Sequence, residues 1–242
     1  MTDVGGSGED GRVSEPNGPA PSGIDIPALD DDAVLWSGAP AGRPLLVLLH
    51  GYGADEHDLA ALAPRLPAEF AFAAVRAPLE PPWPTPGRSW YPIEGLESRD
   101  PVHITRAAQR LIEWIDRAAA SASAVGLLGF SQGGAVALQA LRLQPERFAF
   151  AVNLSGYVTP GELPGDAELA ERRPPVFWGR GALDEVIPAP LVLHTTEWLP
   201  RHSDLVGRIY PGLPHAVSEQ ELTDIRAFLD RQLADLDADR PS

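Results

Sequence analysis

Short runs of consecutive apolar residues alternate along this chain with longer segments of helical period. Leu45 to Leu49 carries no polar side chain, and Ala71–Val75 and Ala124–Phe130 carry no charged or hydroxyl-bearing one. A strand exposed on one face alternates apolar with polar positions. An unbroken apolar run of this length marks a strand covered on both faces. Phe148–Leu154, Val176–Gly179 and Leu205–Tyr210 read as further strands, and Ala33–Trp36 as an edge strand.

Between them lie helical patterns at Asp55–Leu66, from Pro101 to about Ser121, and at Gln132–Leu143, Ala189–Leu199 and Ser218–Leu236. Asp100 before Pro101 is an N-cap followed by the residue best suited to the first helical position. Ile104, Ala108, Leu111, Ile112 and Ile115 then fall on one face. Ser218 with Glu221 three residues on is a capping box. Strands and helices in alternation imply the α/β class: a mostly parallel, twisted sheet with helices on both faces. The segment Pro78–Pro92 holds six prolines and reads as a long irregular loop, a kind of segment that often carries function.

Residues 1–22 break the pattern. They are rich in Gly and Pro, acidic and almost without large apolar groups, so they cannot offset their ordering entropy and are expected to be disordered. Residues 23–242 are expected to form one α/β domain. The leader lacks the basic and apolar regions of a secretory signal, and no apolar run approaches the ~18–20 residues of a membrane helix. A cytoplasmic location without an integral membrane segment is the expectation.

Charge and composition then narrow the chemistry. The 34 acids outweigh 19 bases for a net charge of -15, which disfavours nucleic acid as a partner. There are 0 cysteines, and every base is arginine. Disulfides, thiolate metal sites and cysteine nucleophiles are excluded, as are Schiff-base and P-loop lysines.

One chemical motif stands out against this background. Gly129-Phe130-Ser131-Gln132-Gly133 fits G-x-S-x-G between an apolar strand and a helix, the context in which a serine is lifted above the strand end as a nucleophile. Serine needs a base to remove its proton. In folds carrying this motif the order is Ser, then Asp or Glu, then His. His194 and His202 sit in or beside a helical pattern. His215, in the loop Tyr210-Pro211-Gly212-Leu213-Pro214-His215 after the last strand, is the favoured base. Asp166, Glu168 and Glu171 lie in a polar stretch. Asp184 follows a strand end and is the preferred orienting acid, with Glu185 as the fallback and a helix-capping role for Asp184 as the alternative. His50-Gly51-Tyr52-Gly53 follows the first buried strand. The backbone N–H groups of Tyr52 and of Gln132 are the candidate oxyanion donors, with His50 bracing the loop. A metal site on His50 and His57 lacks a third ligand, and none is expected.

Taken together, Leu49–Glu56, Gly129–Gly134, Gly179–Pro188 and Tyr210–His215 resemble the phospholipase/carboxylesterase branch of the α/β-hydrolases, which includes the acyl-protein thioesterases. The resemblance runs from about Ala33 to Leu233. It implies the α/β-hydrolase fold, Ser131 as nucleophile, Asp184 as acid, His215 as base, and Tyr52 and Gln132 as oxyanion donors. It further implies a small-molecule ester or thioester substrate, cleaved through an acyl-serine intermediate without a cofactor. Relatives include dimers, so a homodimer is among the expected assemblies. Arg88–Pro92 resembles the family's tryptophan loop, which places Trp90 in the candidate pocket. Tyr157 and Val186 join it because they lie close to the motifs. The competing class is a binding module that kept the fold without activity.

Overall fold

The computed structural model describes residues 25–93 and 99–238; the leader, residues 1–22, lies outside the described residues. Seven strands among these residues form one sheet: β1 (Leu35–Trp36), β2 (Pro44–Leu49), β3 (Ala71–Val75), β4 (Ala124–Phe130), β5 (Phe150–Leu154), β6 (Pro175–Gly181) and β7 (Asp204–Tyr210). Their order is β1-β3-β2-β4-β5-β6-β7, with β1 antiparallel to β3 and every other pair parallel. This is the expected α/β architecture.

Among the described residues, six α-helices cover it: α1 (Glu56–Ala60), α2 (Pro101–Ala118), α3 (Gln132–Leu143), α4 (Gly165–Arg172), α5 (Ala189–His202) and α6 (Glu219–Ala238). The continuous apolar runs now have their reason. In β2, Leu45, Val47 and Leu49 join the core beneath α2, α3, α4 and α5, while Leu46 and Leu48 join the core beneath α1 and α6. Alternate side chains of a strand point to opposite faces, so a strand buried on both faces must be apolar throughout. No helix among the described residues is long and apolar enough to cross a membrane.

Three elements differ from expectation. The pattern over Asp55–Leu66 divides into α1 and a 3-10 turn, Ala63–Arg65, because Pro64 cannot continue an α-helix. The edge strand shortens to β1, since Asp30 caps a 3-10 turn over Asp31–Ala33. The stretch holding Asp166, Glu168 and Glu171 is a helix, α4. Its single fully buried anchor, Leu169, is too little for a periodic signal.

The strand order places the functional loops. From β2 the chain steps outward to β3, then crosses back to β4 on the other side of β2. The connection after β2 leads to α1 on one face, and that after β4 leads to α3 on the other. A crevice opens between the carboxyl ends of two strands whose connections diverge in this way. His50–Tyr52 and Ser131 flank it.

Candidate active site

Ser131 occupies a strained turn between β4 and α3, with φ 53 and ψ -113. Few non-glycine residues hold such angles, at a cost of about 1–3 kcal/mol. The neighbouring glycines make the turn sterically feasible. A Cβ on Gly129 would lie 2.3 Å from the Gly133 carbonyl oxygen, and one on Gly133 would lie 2.0 Å from the carbonyl oxygen of Leu49. The Ser131 N–H donates to the Leu154 carbonyl at 2.7 Å, which ties the turn to the end of β5.

Ser131 Oγ lies 2.8 Å from His215 Nε2, and His215 Nδ1 lies 2.9 Å from Asp184 Oδ2. The three side chains selected from the sequence therefore meet in one chain of hydrogen bonds. Two backbone bonds join the loops that bring them together: Leu183 N–H to the Leu213 carbonyl and Ala182 N–H to the Tyr210 carbonyl, both at 3.0 Å. The Asp184 side chain is fully buried. Burial pushes its carboxyl up. The hydrogen bond and charge of His215 and the N–H groups of Val186 and Ile187 on Oδ1 outweigh that, and the group is held below the usual range. One oxygen thus shapes the local turn while the other holds the imidazole; α5 has its N-cap at Pro188 with no side-chain bond, so Asp184 does not cap that helix. Glu185 is exposed.

With Asp184 ionised, Nδ1 carries the imidazole proton and donates it. Nε2 is then left bare toward Ser131, the tautomer that can accept a proton from the hydroxyl. His194 and His202 lie on α5. His202 stacks on Trp198 with ring centroids 3.8 Å apart and bonds the Trp198 carbonyl.

His50 braces the first loop. Its Nε2 accepts from Ala77 N–H at 3.1 Å, so Nδ1 bears the proton and donates to the Gly51 carbonyl at 2.8 Å. Burial lowers its pKa. Both ring nitrogens are committed, which removes His50 as a metal ligand. Asp55, Glu56 and His57 form an acidic cluster at the start of α1, where Arg76 already pairs with Glu56. The N–H groups of Tyr52 and Gln132 have no partner among the described residues.

A cavity of about 160 Å³ adjoins Ser131, lined by Tyr52, Tyr91, Tyr157, Val186, Ile187 and the ring of Phe130 among others. Tyr157 and Val186 stand where the sequence placed them. Trp90 does not. It is fully buried in the core, its indole N–H donates to the His50 carbonyl at 2.9 Å, and its neighbour Tyr91 lines the cavity instead. The chain bends at Trp90 and Tyr91, and the bonds to the His50 carbonyl and the Gln132 amide turn one side chain into the core and leave the other at the cavity. The Tyr91 and Tyr157 hydroxyls bond each other at 2.7 Å. Burial holds both as neutral phenols, with Tyr157 pushed up to about 12.

Sequence reasoning missed two features. Arg99 lines the cavity, donating to the Val186 carbonyl at 3.3 Å. The Gln132 side chain clamps the loop above it, with Oε1 accepting from Trp90 N–H at 2.8 Å and Nε2 donating to the Tyr91 carbonyl at 2.7 Å. The signal for the second was the long irregular loop itself, which needs an anchor for its backbone polar groups.

A parallel sheet carrying a strained serine at a strand–helix turn, with a histidine and an acid on the last two loops, defines the α/β-hydrolase fold class. The chain belongs to the phospholipase/carboxylesterase family, whose model matches residues 30–233. It is 32% identical over 121 residues to acyl-protein thioesterase 1 of Debaryomyces hansenii, covering 49% of this chain and 52% of that one. The match spans about half the length of the curated thioesterases. A protein of Oryza sativa subsp. japonica named "Probable carboxylesterase" is 27% identical over 216 residues, 81% of this chain and 91% of that one. The crystal structure of a carboxylesterase from Mesorhizobium loti superposes with a TM-score of 0.71 at 23% identity, covering 86% of this chain and 99% of that one.

Proposed function

We propose that this protein is a serine hydrolase that cleaves carboxylic esters, and thioesters of the same acyl groups, through an acyl-serine intermediate. The observation that carries the reading is the unbroken relay from Ser131 through His215 to Asp184, at 2.8 and 2.9 Å, ending beside a cavity. Ser131 Oγ attacks the acyl carbon as its proton passes to His215 Nε2. The carbonyl electron pair moves onto oxygen, where the N–H groups of Gln132 and Tyr52 receive it. Asp184 stabilises the imidazolium. Collapse of the tetrahedral species expels the alcohol or thiol, which takes the proton from His215. Water then repeats the sequence and frees the acid.

The cavity favours small acyl groups. It is close to the ~150 Å³ that accommodates one benzene, so an acyl chain of about six carbons fills it. Thioester cleavage stands beside ester cleavage because the acyl step is the same and a relative is named a thioesterase. The test is kcat/KM for p-nitrophenyl acetate, butyrate and octanoate, with Ser131→Ala as control. The short esters should be preferred, and Ser131→Ala should lose on the order of 10⁴–10⁶ in rate. A variant as fast as wild type would overturn the assignment, leaving a binding module on the same fold.

A further inference from the structure

Glu221 is a buried carboxyl that its surroundings leave unpaired. It sits in the first turn of α6, where its N–H is capped by Ser218 Oγ at 3.1 Å. A capping box would turn the Glu side chain back toward the Ser218 N–H. Here the Ser218 backbone lies near enough to pull the carboxyl's pKa down, but no hydrogen bond closes. The residue is 0% exposed, and neither carboxyl oxygen has a hydrogen-bond partner. Oε1 rests against Gly179 of β6, where a Cβ would come within 2.1 Å of it. Two residues on, Gly181 supports the loop that carries His215; a Cβ there would lie 2.0 Å from the Leu213 carbonyl oxygen. Asp184 follows on the same strand end. Glu221 is therefore wedged where the acid-bearing and histidine-bearing loops are joined, six residues after His215.

The geometry points to protonated Glu221 as a positioning residue: its neutral carboxyl lets α6 seat on β6 and so holds His215 against Asp184, and ionisation unseats it. This rests on the hydrolase reading above and deepens it. An unpaired carboxylate in such a site costs several kcal/mol, and lifting the first turn of α6 to admit water is the nearest relief. Ser218, the cap of that turn, lies three residues from His215, so the movement reaches the imidazole.

The charged and titratable neighbours on the packed elements supply no counter-charge. On α6, Asp224 is a second acid one turn away. From β7, the Tyr210 hydroxyl donates to Asp224 at 2.9 Å and Arg208 approaches the same carboxylate at 4.0 Å. Arg180 of β6 is directed to the Asp184 carbonyl, Arg65 pairs with Glu219, and His215 is engaged by Asp184 and Ser131. Burial, with a smaller push from Asp224, raises the Glu221 carboxyl to about 7.

The experiment is kcat for p-nitrophenyl butyrate from pH 6 to pH 9 in wild type, Glu221→Gln and Glu221→Leu. With no cysteine and no lysine in the chain, few other side chains titrate between pH 7 and 9. Wild type should fall by about tenfold toward alkaline pH as the site loosens, given the sensitivity of a reacting geometry to ~1 Å displacements. Both variants should lose the fall. Wild-type and variant profiles that superimpose would overturn the positioning role while leaving the hydrolase reading intact. A wild type no faster than Ser131→Ala would sink the hydrolase reading itself, and this inference with it.

Discussion

Two carboxylic acids lie buried on either side of the carboxyl end of β6, and their surroundings shift them in opposite directions. The side chain of Asp184, in the turn after the strand, has no exposed surface, and Glu221, in the first turn of α6, is likewise closed to water. Burial alone raises both. Asp184 collects three donors: His215 Nδ1 on one oxygen, and the N–H groups of Val186 and Ile187 on the other. Glu221 collects none on its carboxyl. A hydrogen bond to a charged group is worth about 1.5–3 kcal/mol, so two or three of them reverse a desolvation penalty that otherwise stands. The supply of donors, not depth of burial, separates the lowered acid from the raised one.

Removing the negative charge from the first site is the harshest way to break that contrast. Asp184→Asn keeps the size of the side chain. It presents an amide that no longer fixes the proton on Nδ1 or stabilises the imidazolium. We expect kcat for p-nitrophenyl butyrate to fall on the order of 10⁴-fold, with little change in KM. A loss of less than tenfold would mean that the carboxylate does no more than shape its turn.

The sequence made Asp184 legible and left Glu221 half-read, for a physical reason. Order along the chain, strand ends and glycine spacing are properties of the string, so Ser131, Asp184 and His215 could be picked out and do meet in the structure. The sheet was equally visible, because strands covered on both faces must be apolar throughout. Glu221 was seen only as the partner of Ser218 in a capping box. Its Ser218 half forms, but the direction of its own side chain depends on a glycine on a distant strand, Gly179. Trp90 failed similarly: which of two adjacent aromatics faces the cavity is set by the clamp from Gln132 and by the His50 carbonyl. The helix α4 escaped notice because one apolar anchor makes no period. Contacts between segments far apart in the chain were illegible, and the pocket is built from such contacts.

Stability should separate the two acids next most strongly, and with opposite signs. Unfolded, Glu221 titrates near 4.5; folded, near 7. Between these values the folded state holds a proton that the unfolded chain has released, so stability falls as pH rises across that window and stays low above it. The contribution is roughly 3 kcal/mol. Asp184 works in reverse: its stabilisation is present above its ordinary range and is lost only as pH falls through its depressed folded value. Urea unfolding of wild type and Glu221→Gln at pH 5 and pH 8 isolates the first term. The variant should gain on wild type by about that amount at the higher pH; an equal offset at both pH values would contradict a proton-bearing Glu221.

The smallest expected effect sharpens the same point by touching the helix without touching its acid. Ser218 Oγ accepts from the Glu221 N–H, and its carbonyl accepts from the Leu222 N–H at 2.9 Å. Ser218→Ala removes the first bond and keeps the second. Losing one cap costs about 1 kcal/mol. No ionisable group is added or removed, so that cost should be the same at pH 5 and at pH 8. The carboxyl of Glu221 is raised chiefly by burial, and what opposes the rise is the backbone of Ser218, which Ser218→Ala keeps. The alkaline fall in kcat should therefore survive in Ser218→Ala at the same pH. A variant that lost the fall while keeping its fold would transfer the coupling between α6 and His215 from the buried proton to the cap.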